Sequence, residues 1–419
     1  MTKLNNDLYY EFKRDNRLLQ LSFVNYRKGS YILVEGKPDS SRFFIIQRGE
    51  AQCIREIDFT TAPKANILGP GDFVGVIPCM SNHNQIESVV ALTDLVAISV
   101  RRDQYSELIQ KNTPVALKII RVFAARMREM NETLLALALQ KESNNTENQL
   151  FNVAAYYDEA KEVDAATYAY YQYLKTHPTG KQAEIAKKRF VVLQQHSKAV
   201  YLEPKDEMIR EYPQGTMVFA ENQKGQDMYI IQEGQVKITK IIDNKEVVLA
   251  VLKKGDFFGE MALLENLPRS ASAIAHERCK LMVINRKNFD QMVSTQAQMI
   301  SRLTTTLAER LWSMYRQVTN TRLTDPLGKL YDMLALEIEK QRLALSEASP
   351  TALQLDISPQ ELANMCTIPP EEQYSTLELF LKENRVKVIK NRLYVPNCLE
   401  IIKHAAYYRK QKATKNKQY

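Results

Sequence analysis

The sequence has little cysteine, little glycine and no long apolar run. Its five cysteines are an odd number without a C-x-x-C pair, which excludes a disulfide scaffold and favours a reducing cytoplasm. No segment approaches about 18 uninterrupted apolar residues, so no membrane span is expected. Residues 1–17 also lack the apolar core of a secretory signal. With 45% apolar and 25% charged residues over 419 positions, the composition indicates a globular protein of about two to four domains.

Positive charge is concentrated at the C-terminal end. Residues 385–419 contain ten Lys or Arg against one acid, Glu400, whereas the whole chain has a net charge of only +8. The rest of the chain is therefore close to neutral. A basic end of this kind can attract nucleic acid, and it can equally be a solvated tail. Charge alone leaves both interpretations open.

The few glycines reveal an internal repeat. Eleven of the 13 lie in two windows, residues 29–75 and 215–259. The windows align in the same order at three places: YRKGS with YPQGT, FIIQRG with YIIQEG, and GDFVG with GDFFG. Each window contains short β-branched and aromatic runs between turns, and each is followed by an apolar helical stripe, at 120–137 and 300–318. The predicted fold class is α+β, with two antiparallel β-rolls of jelly-roll type that each end in a helix.

The second copy contains a specific cassette, FFGEMALLENLPRSASA, at residues 257–273. It resembles the phosphate-binding cassette of cyclic nucleotide-binding domains, as found in Crp/Fnr regulators and kinase regulatory subunits. The resemblance implies a cyclic mononucleotide as allosteric ligand, without a metal. Ser270, where sites for cGMP commonly have Thr, favours cAMP.

The chemistry of a cyclic phosphate diester explains these residue types. Arg269 can form charge-assisted hydrogen bonds to the phosphate, and Gly259 permits close backbone approach. Glu260 can accept from the ribose 2′-hydroxyl, and Ser270 can donate to the phosphate. The resemblance places the purine against the helix after the roll. The expected ligand-binding residues are Gly259, Glu260, Met261, Ala262, Arg269, Ser270, Ala271, Trp312, Met314 and Tyr315.

The first copy departs from the cassette pattern. Val76 stands where the ribose-binding acid is expected, and Pro78 lacks a helix N–H. Aligned with a two-residue insertion, Glu87 takes the place of the phosphate-binding arginine. We therefore expect this copy to keep the fold and to lose cyclic nucleotide binding. Whether it binds another ligand or serves packing and dimerisation stays open.

Residues 141–205 are predicted to form a helical insert. Residues 170–178, YYQYLKTHP, resemble a tetratricopeptide helix with its closing proline. Fewer than two repeats cannot bury a core, so the insert must pack on a neighbour. It is either an interaction module for a protein partner or a helical linker between the rolls.

The C-terminal segment resembles the winged helix-turn-helix of Crp/Fnr regulators. Ser358 and Glu361 form a predicted capping box, and a wing hairpin is expected around Lys390 and Asn391. The stretch matching the recognition helix, residues 369–378, has three acids and no Lys or Arg. Contacts to bases are expected from polar side chains of this stretch, and contacts to the DNA backbone from the wing. These nucleic-acid candidates are Gln373, Ser375, Thr376, Lys387, Lys390 and Arg392.

The leading interpretation is a cytoplasmic, homodimeric cyclic nucleotide sensor. The resemblance to Crp/Fnr regulators implies that it binds cAMP and regulates transcription through DNA. The alternative is a nucleotide-dependent protein-interaction regulator without sequence-specific DNA binding. No P-loop, kinase signature or metal-ligand cluster is present in the sequence, so an enzyme is not expected. The expected divisions are a degenerate roll, the insert, a ligand-binding roll, a winged helix and a basic tail, at 1–140, 141–205, 206–320, 321–400 and 401–419.

Overall fold

The computed structural model describes residues 21–54, 66–139, 148–198, 200–203, 207–242, 244–343, 345–366 and 368–415. The chain divides into two compact units. Within the described residues, unit 1 contains 21–54, 66–128 and 148–309, and unit 2 contains 129–139 and 310–415. None of the five cysteines forms a disulfide. In the described part of the chain, no helix is long and apolar enough to cross a membrane.

In its described residues, 21–54 and 66–139, the first roll has eight strands in two antiparallel sheets. Their orders are β1-β8-β3-β6 and β2-β7-β4-β5. Alternating apolar residues of both sheets face inward and form a shared core. The elements are β1 Ser22–Tyr26, β2 Tyr31–Leu33, β3 Arg42–Arg48, β4 Ala51–Ile54, β5 Ile67–Leu68, β6 Phe73–Val74, α1 Val76–Ser81, β7 Ser88–Ala91, β8 Leu95–Arg101, α2 Tyr105–Lys111 and α3 Thr113–Leu139.

The second roll repeats this topology strand for strand. Its sheets have the orders β14-β11-β16-β9 and β10-β15-β12-β13, and its core is again built from both inner faces. The duplication predicted from the glycine pattern is therefore confirmed. The elements are β9 Ile209–Tyr212, β10 Met217–Phe219, β11 Met228–Glu233, β12 Val236–Ile242, β13 Lys245–Leu252, β14 Phe257–Phe258, α7 Glu260–Glu265, β15 Ser272–Ala275, β16 Cys279–Ile284, α8 Arg286–Thr295 and α9 Ala297–Thr321.

Three helices between the rolls form the insert: α4 Gln149–Glu159, α5 Val163–Thr176 and α6 Ala183–Gln194. Their buried faces join one apolar cluster with residues of the second roll, including Met217, Ile241 and Ile274. The hydroxyl of Tyr157 also lies 3.0 Å from the hydroxyl of Thr239 on β12. The insert thus buries its core against the second roll, as its small size requires. The tetratricopeptide resemblance itself stays a prediction.

Unit 2 is helical with one small sheet, of order β17-β19-β18. The capping box is confirmed, because the Ser358 side chain accepts from the Glu361 N–H and Glu361 accepts from the Ser358 N–H. The hairpin around Lys390 and Asn391 is also confirmed, and both residues have positive φ. The remaining elements are α10 Pro326–Lys340, β17 Leu353–Gln354, α11 Pro359–Met365, α12 Pro370–Lys382, β18 Lys387–Ile389, β19 Arg392–Val395 and α13 Cys398–Lys415.

Helix α13 changes the description of the basic C-terminal end. The sequence suggests a tail from residue 401, but residues 398–415 form one helix. Cys398, Ile401 and Ala405 on this helix are fully buried. The guanidinium of Arg409 donates to Asp332 on α10 at 2.9 Å. The first part of the basic end is therefore packed into unit 2 rather than solvated.

Candidate functional site

A sharp turn at Gly259 starts the cassette of the second roll. Gly259 has a φ of +77° and directly precedes α7. A Cβ at this position would lie 2.8 Å from Nη1 of Arg269 and 3.2 Å from the Asp227 carbonyl oxygen. Both the left-handed conformation and the close approach therefore require glycine. The turn brings the start of α7 against the arginine that the sequence places ten residues later.

Arg269 is buried in the roll with only part of its donor capacity used. The side chain is 5% exposed, and Nη1 donates to the Gly259 carbonyl at 2.7 Å. Its guanidinium carbon lies 4.2 Å from the ring centroid of Phe219 and 6.0 Å from that of Tyr229. Nε is buried without a hydrogen-bond partner among the described residues. Desolvation lowers the pKa of Arg269, against the raising influence of Tyr229 and Asp227. A buried cation with a spare donor is suited to an anionic ligand.

The main chain of Arg269 is fixed by the loop after β10. Asn222 N–H donates to the Arg269 carbonyl, and Arg269 N–H donates to the Gln223 carbonyl, both at 2.8 Å. The Gln223 side chain in turn accepts from the Tyr168 hydroxyl of the insert at 3.1 Å. A Cβ at Gly225 in the same loop would lie 2.6 Å from the Arg269 guanidinium. Sequence reasoning missed this support, since no local pattern links the loop or the insert to the cassette.

The other cassette residues directly follow Gly259 or Arg269 in the chain. Glu260 is the first residue of α7 and is 3% exposed. Met261 and Ala262 follow it and are buried. Ser270 Oγ lies 3.7 Å from Met261 Sδ, and Ala271 is 6% exposed. The structure thus brings all seven predicted cassette residues into one small region.

The predicted base-contacting residues lie in unit 2, on the second half of α9. Trp312 and Tyr315 are 3% and 5% exposed, and Met314 is partly buried. The Arg316 guanidinium lies 5.2 Å from the Trp312 ring centroid. The Trp312 ring therefore packs against a residue of its own unit. Their contact with a nucleotide stays a prediction.

The first roll keeps the backbone geometry of the cassette. Gly75 precedes α1 with a φ of +73°, and Asn82 ends that helix with a φ of +58°. The equivalent residues Gly259 and Asn266 of the second roll have φ values of +77° and +57°. The backbone turns at both ends of the cassette helix are therefore the same in the two rolls. A cavity of about 220 Å³ lies beside the cassette of the first roll.

The structure corrects the alignment of the first cassette. Gly36 N–H donates to the Gln85 carbonyl and Gln85 N–H donates to the Lys37 carbonyl, the same pair of bonds that holds Arg269. Gln85 is therefore the counterpart of Arg269, and the predicted insertion that aligned Glu87 with Arg269 is wrong. The sequence alignment placed Glu87 at this position after a two-residue insertion, whereas the main-chain hydrogen bonds place Gln85 there. A neutral amide, rather than an acid, stands where the second roll has Arg269.

In unit 2, the predicted base-reading side chains are engaged within the unit. The Gln373 amide accepts from Gln360 at 2.9 Å and donates to the Ile368 carbonyl at 3.2 Å. Ser375 is exposed, and its hydroxyl donates to the Glu372 carbonyl at 3.1 Å. Thr376 is 6% exposed and donates to the same carbonyl at 2.7 Å. Burial of Thr376 runs against its expected contact with bases.

The wing residues differ in availability. Lys387 and Lys390 are exposed. Arg392 instead lies 2.9 Å from Asp356 and 3.2 Å from Glu361, measured from its guanidinium nitrogens to their carboxylate oxygens. Exposed ion pairs of this kind are weak and can be exchanged for a phosphate contact. The wing therefore presents two exposed lysines and one arginine that is engaged in ion pairs.

Comparison with known proteins places the rolls in one family. The model of the cyclic nucleotide-binding domain matches residues 23–112 and 209–296. The cAMP-activated global transcriptional regulator CRP of Pasteurella multocida is 32% identical over 159 residues, which are 38% of this chain and 75% of that protein. The cAMP-dependent protein kinase regulatory subunit of Eremothecium gossypii is 22% identical over 70% of this chain and 50% of its own. The solved regulatory domain of Toxoplasma gondii PKA with cAMP has a TM-score of 0.21, 18% identity, and coverage of 72% and 95%.

The fold and the cassette define a protein with two cyclic nucleotide-binding domains. The chain belongs to the Crp/Fnr-like family of cyclic nucleotide-binding proteins.

Proposed function

We propose that the protein is a sensor of cAMP, in which the second roll binds the nucleotide and switches a C-terminal winged helix. The observation that carries the proposal is the buried guanidinium of Arg269 beside the Gly259 turn, whose Nε has no acceptor within the part of the chain that the structure describes. Burying a cation without full hydrogen bonding costs stability, and a bound phosphate diester would supply the missing acceptors.

Each cassette residue has a role in this proposal. Arg269 binds the cyclic phosphate, and Glu260 accepts from the ribose 2′-hydroxyl. The N–H groups of Met261 and Ala262 and the hydroxyl of Ser270 complete the phosphate contacts. Gly259 and Ala271 leave room for the ligand because neither has a large side chain. Trp312, Met314 and Tyr315 are the proposed cap over the purine.

Signal output is proposed to use helix α9, which contributes residues to both units. Nucleotide binding favours one of two pre-existing positions of this helix, and the winged helix at 321–400 moves with it in a homodimer. Lys387, Lys390 and Arg392 hold the DNA backbone, while Gln373 and Ser375 lie nearest to the bases. Thr376 is left out because it is buried.

The proposal includes the remaining sequence-based expectations. The chain is divided at 140, 205, 320 and 400, and it acts in the cytoplasm as a regulator rather than an enzyme. The first roll binds no cyclic nucleotide, since Gln85 and Val76 replace the phosphate-binding cation and the ribose-binding acid. The insert packs on the second roll, and we propose that its outer face binds a protein partner.

An acidic surface on α12 favours the alternative output. Glu371, Glu372 and Glu378 are exposed on this helix, and Tyr374 is 81% exposed. Carboxylates repel DNA phosphates, whereas an exposed aromatic ring surrounded by charge is typical of protein contacts. The second candidate is therefore a cyclic nucleotide-dependent regulator that binds a protein instead of a DNA sequence.

Calorimetry with cAMP and cGMP tests the ligand site. We expect one cAMP per chain, weaker binding of cGMP, and a large loss of affinity for Arg269→Gln. Arg278→Gln is the matched control. It removes the same charge, but Arg278 pairs with Glu211 at the surface. Equal affinity of wild type and Arg269→Gln for cAMP would contradict the assigned site.

A gel-shift with genomic fragments, with and without cAMP at about 0.15 M salt, tests the output. Nucleotide-dependent, sequence-selective shifts support the winged-helix proposal. Shifts that ignore sequence and vanish with salt indicate only backbone contact by the basic residues. Absence of any shift would favour the protein-binding alternative.

A further inference from the structure

One arginine of the first roll's long helix reaches the cassette of the second roll. Arg128 Nε donates to Glu265 Oε2 at 2.8 Å, and both Nη atoms lie 3.3 Å from the Pro268 carbonyl oxygen. The side chains of Arg128 and Glu265 are 18% and 12% exposed. Partial burial limits screening by solvent, so this pair differs from an ordinary surface ion pair.

The two acceptors lie at opposite ends of one short segment. Glu265 is the last residue of α7, and Pro268 directly precedes Arg269. Between them, Asn266 takes a left-handed turn, and Leu267 is 45% exposed. Two of the four residues 265–268 are exposed, and a single guanidinium joins the ends of this segment.

The position of Arg128 is set by the first roll. Lys118, earlier on α3, donates to the Gly71 carbonyl at 2.6 Å and lies 3.3 Å from an Asp72 carboxylate oxygen. Phe123 and Met127, close to Arg128 on the same helix, are buried. The helix is thus anchored to the first roll before it presents Arg128 to the cassette.

From these contacts, we propose that Arg128 is a positioning residue for the nucleotide site and that the first roll sets the affinity of the second through it. The inference rests on the proposed function of the second roll. Arg128 fixes the segment that delivers Arg269, so the ligand does not have to order this segment on binding. A roll with a neutral Gln85 in its cassette then contributes to nucleotide binding without holding a nucleotide.

A double-mutant cycle in the full-length chain tests the inference. We expect Arg128→Gln and Glu265→Gln each to raise the Kd for cAMP about fivefold, in the lower range of couplings between sites. The double variant should show less than the product of the two effects, because both remove the same contact. Arg128→Lys should be intermediate, since a lysine can pair with Glu265 but lacks the fork that also reaches Pro268.

Arg121→Gln is the control. It removes the same charge from the same helix, at a position that is exposed. Urea unfolding of each free variant is measured in parallel. A purely structural contact would lower the unfolding midpoint and leave the Kd unchanged, which would overturn the inference. Independent, multiplicative effects of the two substitutions would also overturn it. Absence of cAMP and cGMP binding to the wild type would instead refute the proposed function, and this inference with it.

Discussion

Replacing Arg269 with leucine should separate the stability of the second roll from its function. A buried side chain truncated or replaced in a core usually costs about 2–5 kcal/mol. We expect Arg269→Leu to cost far less, because the free protein stabilises this arginine incompletely. The same substitution removes the cation that the proposed phosphate contact requires.

The contacts of Arg269 give the magnitude. Leucine loses the hydrogen bond from Nη1 to Gly259, worth about 1.5–3 kcal/mol for a charged donor, and the cation–π contact with Phe219, worth about 1–2 kcal/mol. It also removes the buried Nε that has no partner among the described residues, a cost of about 1–3 kcal/mol. Desolvation of the guanidinium costs several kcal/mol more. These relieved costs at least offset the lost contacts, so the free energy of unfolding should fall by no more than about 1 kcal/mol relative to the wild type.

Urea unfolding with and without cAMP measures both effects. At a concentration of 100 times Kd, cAMP should stabilise the wild type by about 2.7 kcal/mol. Arg269→Leu should unfold near the wild-type midpoint without cAMP, and added cAMP should not shift that midpoint. A strongly destabilised variant that still gains stability from cAMP would refute both the assigned role and the energetic reasoning.

Three further predictions concern other residues. Glu260→Gln should reduce the preference for cAMP over 2′-deoxy-cAMP, measured as the ratio of their Kd values, and an unchanged ratio would place the ribose elsewhere. Asp332→Ala should lower the free energy of unfolding in urea by about 3–5 kcal/mol, because this 1% exposed carboxylate accepts from two arginines and an asparagine. As a control, Glu347→Ala removes a carboxylate from an exposed ion pair and should leave the unfolding midpoint unchanged. Burial raises the pKa of Tyr105, so its contribution to stability is complete below about pH 10 and decreases above it. In Tyr105→Phe, the unfolding midpoint should therefore decrease less at alkaline pH than in the wild type. An identical decrease would show that ionisation of Tyr105 does not cause the loss of stability.

The parts of the molecule that were predictable from the sequence depend on local signals. The glycine turns and alternating strands predict both rolls, and Ser358 with Glu361 predicts the start of α11 at the correct residue. The cassette was recognisable by its resemblance to a family motif because its residues are continuous in the chain, with Gly259 and Arg269 only ten residues apart. In each case the residues that decide the structure are neighbours in the chain.

Strand register and side-chain burial were harder to predict from the sequence. The counterpart of Arg269 in the first roll is Gln85, which is identified by main-chain bonds to Gly36 and Lys37 rather than by residue type. Thr376 has the chemistry of a base-reading residue, but the packing of α12 turns it inward. Side-chain type predicts what a residue is able to bind, whereas its face on the element decides whether it is available.

Control of the proposed site depends on contacts between distant parts of the chain. Arg128 and Glu265 are 137 residues apart, and Tyr168 and Gln223 are 55 apart. Arg128 of the first roll holds the segment just before Arg269, and Tyr168 of the insert holds the loop that bonds to the Arg269 main chain. A single roll could supply the phosphate-binding chemistry without either of them. We therefore expect the cassette to determine which ligand binds, and the first roll and the insert to determine how tightly it binds.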